Sequence, residues 1–158
     1  MSGTPLILVS GASGSLSRKV IQFLLERGGC EVVAGTRFPQ LCVPLSESGL
    51  EVRPLDYDDP DCVAHALHGV EHLFMVSPLR FESIFRMRKK LRHAVEMAYR
   101  AGVRRVVYTS CAHPDPDSPM LLAPSHRSTE WALMRSGMEW VSLRLNFLTD
   151  YLWELVVC

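Results

Sequence analysis

The segment Gly11-Ala12-Ser13-Gly14-Ser15-Leu16-Ser17 joins a short apolar run, Leu6 to Ser10, to Arg18-Lys19-Val20-Ile21-Gln22-Phe23-Leu24-Leu25, which reads as a helix. A glycine turn from strand into helix gathers backbone N–H groups and the positive end of a helix dipole at one point. A pyrophosphate can dock there. Glycine is needed because a Cβ blocks the tight turn and the close approach of phosphate oxygens. The spacing is GxxGxxS, so Ser17 takes the place of a third glycine. On this reading Gly11, Ser13, Gly14, Ser15 and Leu16 form the phosphate cradle.

Further candidates stand at the ends of later apolar runs. Arg37 closes the run from Glu31, where a dinucleotide fold reads the adenosine ribose. A carboxylate at that point binds the 2′-hydroxyl of NAD, whereas an arginine pairs with the 2′-phosphate of NADP. Thr36-Arg37 has no carboxylate beside it, which favours NADP(H) over NAD(H); the alternative is an exposed surface arginine. Asp56, beside Tyr57, can orient an adenine amino group, and Ser77-Pro78 lies where the chain passes beneath the nicotinamide. Asp58, Asp59 and Asp61 read as helix-capping or solvated loop residues, without the glycine and distal glutamate of a calcium loop. No metal site is expected.

Ser110 closes another run, and His126 and Glu130 stand four apart on one helix face. A histidine there can donate a proton near neutral pH; the alternative is a helix-surface pair beside Arg127. Cys111 is either a reactive thiol at the mouth of the site or an inert small residue. Arg86, Arg88, Lys89, Lys90 and Arg92 read as a solvated helix face, and Met75, Met87, Met97, Trp131 and Trp140 as core.

The elements that must position these groups alternate along the chain. Strands are expected at 6–10, 31–37, 50–55, 71–77, 104–110 and 140–145. Helices are expected from Arg18, over 61–68, over 83–101 with Ile84, Met87, Leu91, Val95 and Ala98 on one stripe, over 125–136, and again from Phe147. Gly102 stops the long helix. The region around Pro39 and Pro44 reads as a turn with at most a short helix, and Cys111 to Pro124 as a loop. Alternating βα units of this length imply a doubly wound parallel sheet of about six strands, with ligands outside the carboxyl ends of the strands.

A chain of 158 residues is one domain by length, and 47% apolar with 22% charged residues fits a globular protein. A formal net charge of zero gives no electrostatic reason to expect nucleic acid or an anionic membrane as partner. No apolar run approaches the ~20 residues of a membrane span. Five scattered cysteines without CxxC fit reduced thiols, hence a cytoplasmic protein.

Several segments in order resemble the NmrA-like branch of the atypical short-chain dehydrogenases/reductases. Leu8-Val9-Ser10-Gly11-Ala12-Ser13-Gly14 is similar to its "VTGATG" opening, and Gly35-Thr36-Arg37 to its "VR" end of strand two. Leu55-Asp56-Tyr57-Asp58-Asp59 resembles "GDyxD", and Leu73 to Pro78 resembles "vFlvsp". Ala101 to Ser110 looks like "AGVkhvvytS", Ser125 to Glu130 like "hxxtE", and Leu143 to Phe147 like "LRPnfF".

The resemblance implies a Rossmann domain that binds NAD(P)H and passes hydride to a quinone or other small carbonyl acceptor. It also implies a catalytic serine at Ser110. The family's usual Tyr-x-x-x-Lys is missing, since Tyr57, Tyr99, Tyr108 and Tyr151 are followed four residues on by Asp61, Val103, Ala112 and Leu155. His126 is then the nearest substitute proton donor. Ser17 in place of glycine is expected to loosen helix–strand packing or lower cofactor affinity. Residues 1–158 are read as one NAD(P)-binding domain that stops short of most of the family's C-terminal substrate region. Two other readings stand beside the enzyme: a non-catalytic NADP-sensing regulator, and an inactive truncated fragment. The sequence does not indicate the oligomeric state.

Overall fold

Runs of apolar residues bounded by glycine and proline become strands, and amphipathic stretches between them become crossover helices. The computed structural model describes residues 3–77, 84–146 and 148. Its strands are β1 (Leu6–Ser10), β2 (Glu31–Thr36), β3 (Glu51–Pro54), β4 (His72–Met75), β5 (Arg105–Cys111) and β6 (Glu139–Leu145). Its helices are α1 (Ser15–Arg27), α2 (Val43–Glu47, after a 3-10 turn at Pro39–Cys42), α3 (Pro60–Ala66), α4 (Ile84–Arg100) and α5 (Ala123–Ser136).

The strands form one parallel sheet in the order β3-β2-β1-β4-β5-β6. This is the Rossmann arrangement. The chain winds outward from β1 to one side through β2 and β3, then returns to lay β4 on the other side. Leu8 pairs with Val33 and Leu73, so β1 is the centre of the sheet. The crevice where the order reverses opens between the carboxyl ends of β1 and β4.

Because side chains alternate across a strand, β1 feeds two cores. Leu8 joins Leu73, Met75, Met87, Leu91, Val95, Tyr108 and Leu133 beneath α3, α4 and α5. Val9 joins Ile21, Val32, Ala34 and Cys42 beneath α1. In α4, Met87, Leu91, Ala94, Val95 and Ala98 are buried at helical spacing. Each fully buried large apolar side chain of this kind contributes about 1.5–3 kcal/mol. Gly102, at φ 82°, ends α4, and its N–H donates to the Tyr99 carbonyl at 3.0 Å.

Three expectations need correction. α1 begins at Ser15 rather than Arg18, because Gly14 serves as its N-cap and accepts from the Arg18 N–H at 3.2 Å. Trp131 and Trp140 are not core. Trp131 is 53% exposed, since α5 turns His126, Thr129, Glu130 and Leu133 inward and leaves Trp131 outside, 5.6 Å from the Arg127 guanidinium. Trp140 lies on β6, the outer strand of the sheet among the described residues. Pro78 and the helix expected from Phe147 lie outside the described residues.

Candidate dinucleotide site

The β1–α1 turn is closed by its own backbone. Gly11 adopts φ 67°, a conformation that disfavours a side chain, and its carbonyl accepts from the Gly14 N–H at 2.8 Å. A Cβ at Gly14 would sit 3.3 Å from that carbonyl oxygen. The Ala12 N–H donates to the Gly35 carbonyl at 3.0 Å, tying the turn to β2. No side chain caps the first turn of α1, and no acidic residue stands in it. The amides that follow Gly14, with the positive end of the helix dipole, therefore face no carboxylate of their own turn, as an incoming phosphate requires.

Ser17 corrects the expectation of loose helix–strand packing. It is 1% exposed, and its hydroxyl donates to the Ser10 carbonyl at 2.7 Å. The serine stitches α1 to the end of β1 rather than loosening the contact.

Polar side chains at neighbouring strand ends set the floor of the crevice. Ser10 Oγ accepts from the Val76 N–H at 2.8 Å, and Thr109 Oγ1 accepts from the Ser77 N–H at 2.9 Å. The end of β4 is thus held from β1 on one side and β5 on the other. Sequence reasoning missed both anchors, because each joins strands that are distant along the chain. It also passed over Gly35 as a packing position: a Cβ there would lie 2.9 Å from both Leu8 Cδ2 and Leu55 Cδ2. A glycine inside a strand pattern was the available signal.

Arg37 is the first residue beyond β2 and is exposed, with its guanidinium carbon 5.4 Å from the centroid of the Phe38 ring. Asp56 follows β3 at the same edge of the sheet, and its Oδ1 accepts from the Asp58 N–H at 3.0 Å. Asp59 caps α3, accepting from the N–H groups of Asp61 and Cys62, as expected. Tyr57 points elsewhere. Its ring packs against the core beneath α4, and burial pushes its hydroxyl up to about 12, with the Ser10 hydroxyl drawing it partly back. Lys90 also departs from expectation: its side chain is 8% exposed, and its ammonium lies 2.5 Å from Asp58 Oδ2. Arg86, Arg88, Lys89 and Arg92 are exposed.

At the ends of β5 and β6 the side chains form a buried polar group. Ser110 Oγ is enclosed, without a hydrogen-bond partner of normal geometry. It helps hold down the Glu130 carboxyl. Burial alone pushes that carboxyl up, but hydrogen bonds from Arg144 and Ser142 outweigh it and hold it below its ordinary range as a carboxylate. Glu130 Oε1 accepts from Ser142 Oγ at 2.7 Å, and its Oε2 from the Arg144 guanidinium at 2.8 Å. The pair His126–Glu130 is therefore not on the helix surface, and the charge partner of Glu130 is Arg144 on β6 rather than Arg127.

His126 is 4% exposed, and its Nδ1 lies 2.7 Å from Tyr108 Oη. Desolvation pushes the imidazole down to about 4, against a smaller opposing pull from Glu130. At neutral pH the ring is uncharged, so it is unsuited to donate as an imidazolium. Burial likewise pushes the Tyr108 hydroxyl far up, and pushes up the Cys111 thiol, away from the thiolate that a reactive cysteine needs.

The glycine turn, Arg37, Asp56 and Ser77 meet along one edge of a 3-2-1-4-5-6 sheet, and residues 11–152 match the family described as NAD(P)H-binding. The chain belongs to the NAD(P)H-binding family. Among its relatives, quinone oxidoreductase 2 of Escherichia coli is 34% identical over 146 residues, a match covering 92% of this chain and 50% of that protein. The crystal structure of that NADPH-dependent enzyme with NADPH superposes with a TM-score of 0.84 at 33% identity, covering 96% of this chain and 53% of the other. The NmrA-like family domain-containing oxidoreductase flvB of Aspergillus flavus is 28% identical over 141 residues, covering 87% of this chain and 46% of its own length. Triphenylmethane reductase of Citrobacter sp., solved with NADP(H), gives a TM-score of 0.86 at 31% identity, covering 92% of this chain and 51% of that one. The chain thus spans about half the length of the relatives it matches. The NmrA-like resemblance of the sequence has its counterpart in the Aspergillus flavus relative.

Proposed function

We propose that this member of the NAD(P)H-binding family binds NADPH across the β1/β4 crevice and takes part in hydride transfer to a quinone or another small carbonyl acceptor. The observation that carries the reading is the uncapped first turn of α1 behind a self-closed glycine turn, with Arg37 on the same edge of the sheet. When bound, the nicotinamide supplies the hydride, and the protein's part is to hold and orient. The amides of Ser13, Ser15 and Leu16 take the pyrophosphate, with Gly11 and Gly14 giving it room. Arg37 pairs with the 2′-phosphate, and Asp56 with the backbone of Tyr57 receives the adenine. Ser77 underlies the nicotinamide half, and Ser110, at the end of β5, is the candidate catalytic hydroxyl.

His126 serves in this scheme as a neutral support for Tyr108. A two-electron reduction of a quinone also consumes a proton, which then comes from water. The relatives named for quinone and triphenylmethane reduction support a small-molecule acceptor. Among the described residues no helix is long and apolar enough to cross a membrane. The scattered cysteines support a cytoplasmic location, and residues 1–158 are taken as one dinucleotide-binding domain. The neutral, buried His126 and the missing Tyr-x-x-x-Lys favour one second reading, an NADP-sensing protein that binds without turnover.

Calorimetric titration with NADPH and NADH, beside NADPH oxidation with a quinone panel, tests the reading. NADPH should bind more tightly than NADH, and Arg37→Ala should remove about tenfold or more of that preference by deleting a charge-assisted phosphate contact. Equal binding of the two nucleotides by the unaltered chain overturns the role of Arg37. Binding without turnover selects the sensing protein.

A further inference from the structure

Lys90 and Asp58 meet although neither was expected to have a partner. Lys90 stands near the start of α4, on the same side as the buried residues Met87, Leu91 and Ala94. Its side chain is 8% exposed, while that of Asp58 is 53% exposed, and Lys90 Nζ lies 2.5 Å from Asp58 Oδ2. Long cationic side chains seldom surrender their freedom and hydration in this way, and a half-exposed ion pair contributes little stability by itself. The pair is better understood through what it holds. The Asp58 N–H donates to Asp56 Oδ1 at 3.0 Å, the Asp56 carbonyl accepts from the Asp59 N–H at 3.1 Å, and the Asp56 N–H donates to Cys62 Sγ at 3.4 Å. Asp59 in turn caps α3.

The loop that carries Asp56 is therefore tied to two helices, to α3 through Asp59 and to α4 through Asp58. One oxygen of the Asp56 carboxylate is committed to the loop, which fixes the direction in which the other can accept. We propose that Lys90 is a positioning residue for the adenine end of the dinucleotide site: its ammonium pins Asp58, and Asp58 sets the orientation of the Asp56 carboxylate. This rests on the assignment of Asp56 to the adenine. Lys90 touches no part of the ligand in this scheme, and it acts through two intervening residues. Its effect falls on the half of the dinucleotide that supplies binding and leaves the nicotinamide half alone. A helix that packs on the Leu8 core thereby sets the geometry of a loop at the sheet edge.

The test uses the full chain with Lys90→Met, Lys90→Arg, Asp58→Asn and the double variant Lys90→Met/Asp58→Asn. Calorimetry measures the affinity for NADPH and for 2′-phospho-AMP, and circular dichroism checks the fold of each variant. Lys90→Met and Asp58→Asn should each weaken both ligands by about tenfold, the scale of one lost charged hydrogen bond. The double variant should be no worse than either single one, because the residues act in series, and Lys90→Arg should recover most of the affinity. A merely structural role would lower the melting temperature and leave the affinity of the folded protein unchanged. Affinities within twofold of the unaltered chain in Asp58→Asn, or in a folded Lys90→Met, overturn the inference while the nucleotide site stands. If the unaltered chain binds NADPH but not 2′-phospho-AMP, or binds neither, the assignment of Asp56 falls and the inference with it. Should Lys90→Met fail to fold, Asp58→Asn decides alone, since that side chain is half exposed and keeps its shape.

Discussion

Acidification from neutral pH charges a histidine that the fold leaves little room to hydrate. His126 is 4% exposed, its Nδ1 lies 2.7 Å from Tyr108 Oη, and desolvation takes its pKa from 6.5 to about 4. The unfolded chain accepts this proton near 6.5 and the folded chain only near 4, so between those values the unfolded state binds more protons. Stability from this residue is complete above 6.5 and is lost as the pH falls toward 4. At ~1.4 kcal/mol per unit the full loss is about 3 kcal/mol, a large share of the roughly 5–15 kcal/mol that a domain possesses. The Glu130 carboxyl, itself held below its ordinary 4.5, adds its own loss further down the scale, so the measurement stops at that pH. Within the remaining window His126 should cost about 2.5 kcal/mol. Urea unfolding of the unaltered chain and of His126→Gln, from about pH 7 to about pH 4.5, reads the difference. Glutamine retains an amide for the Tyr108 hydroxyl but does not titrate, so the two stability curves should converge on acidification. Parallel curves, or an unaltered chain with constant stability across the window, would refute the reasoning that burial controls this imidazole.

Two further substitutions test packing at the crevice. Gly35→Ala places a methyl group 2.9 Å from the Cδ2 atoms of Leu8 and Leu55, both buried, and should cost about 1–3 kcal/mol by overpacking. Thermal unfolding checks it, and an unchanged melting temperature would mean that the leucines move aside freely. Ser17→Gly supplies the missing third glycine but removes the 2.7 Å bond to the Ser10 carbonyl and puts glycine into the first turns of α1. The sum should be a loss of about 1–2 kcal/mol in urea unfolding, and a gain in stability would show that the hydroxyl contributes nothing.

Much of the fold is legible in short stretches of sequence. Leu6 to Ser10 and Arg105 to Cys111 are strands because each holds a short continuous apolar run, as a sheet covered on both faces requires, and α4 is a helix because Met87, Leu91, Val95 and Ala98 fall on one stripe. The glycine turn, the stop at Gly102 and the cap at Asp59 are likewise local, since each is settled by the conformation of a few adjacent residues. The alternation of these elements implies a parallel sheet, and the strand ends point to the edge where a ligand belongs.

The tertiary structure decided which side chains are consumed in holding that edge together. Tyr57 and His126 carry groups suited to a binding site, yet the hydroxyl of the first is buried and the imidazole of the second is taken up by Tyr108. Lys90 looks like one of a run of solvated cations until α4 packs beside α3 and brings it to Asp58. Ser10 meets the end of β4 only because β4 crosses the sheet to lie beside β1, and Glu130 meets Arg144 only because β6 joins β5. Local sequence determines backbone conformation through sterics and through apolar spacing over a few residues. The partner of a polar side chain depends on which distant segment arrives beside it, and that is set by burial summed over the whole sheet.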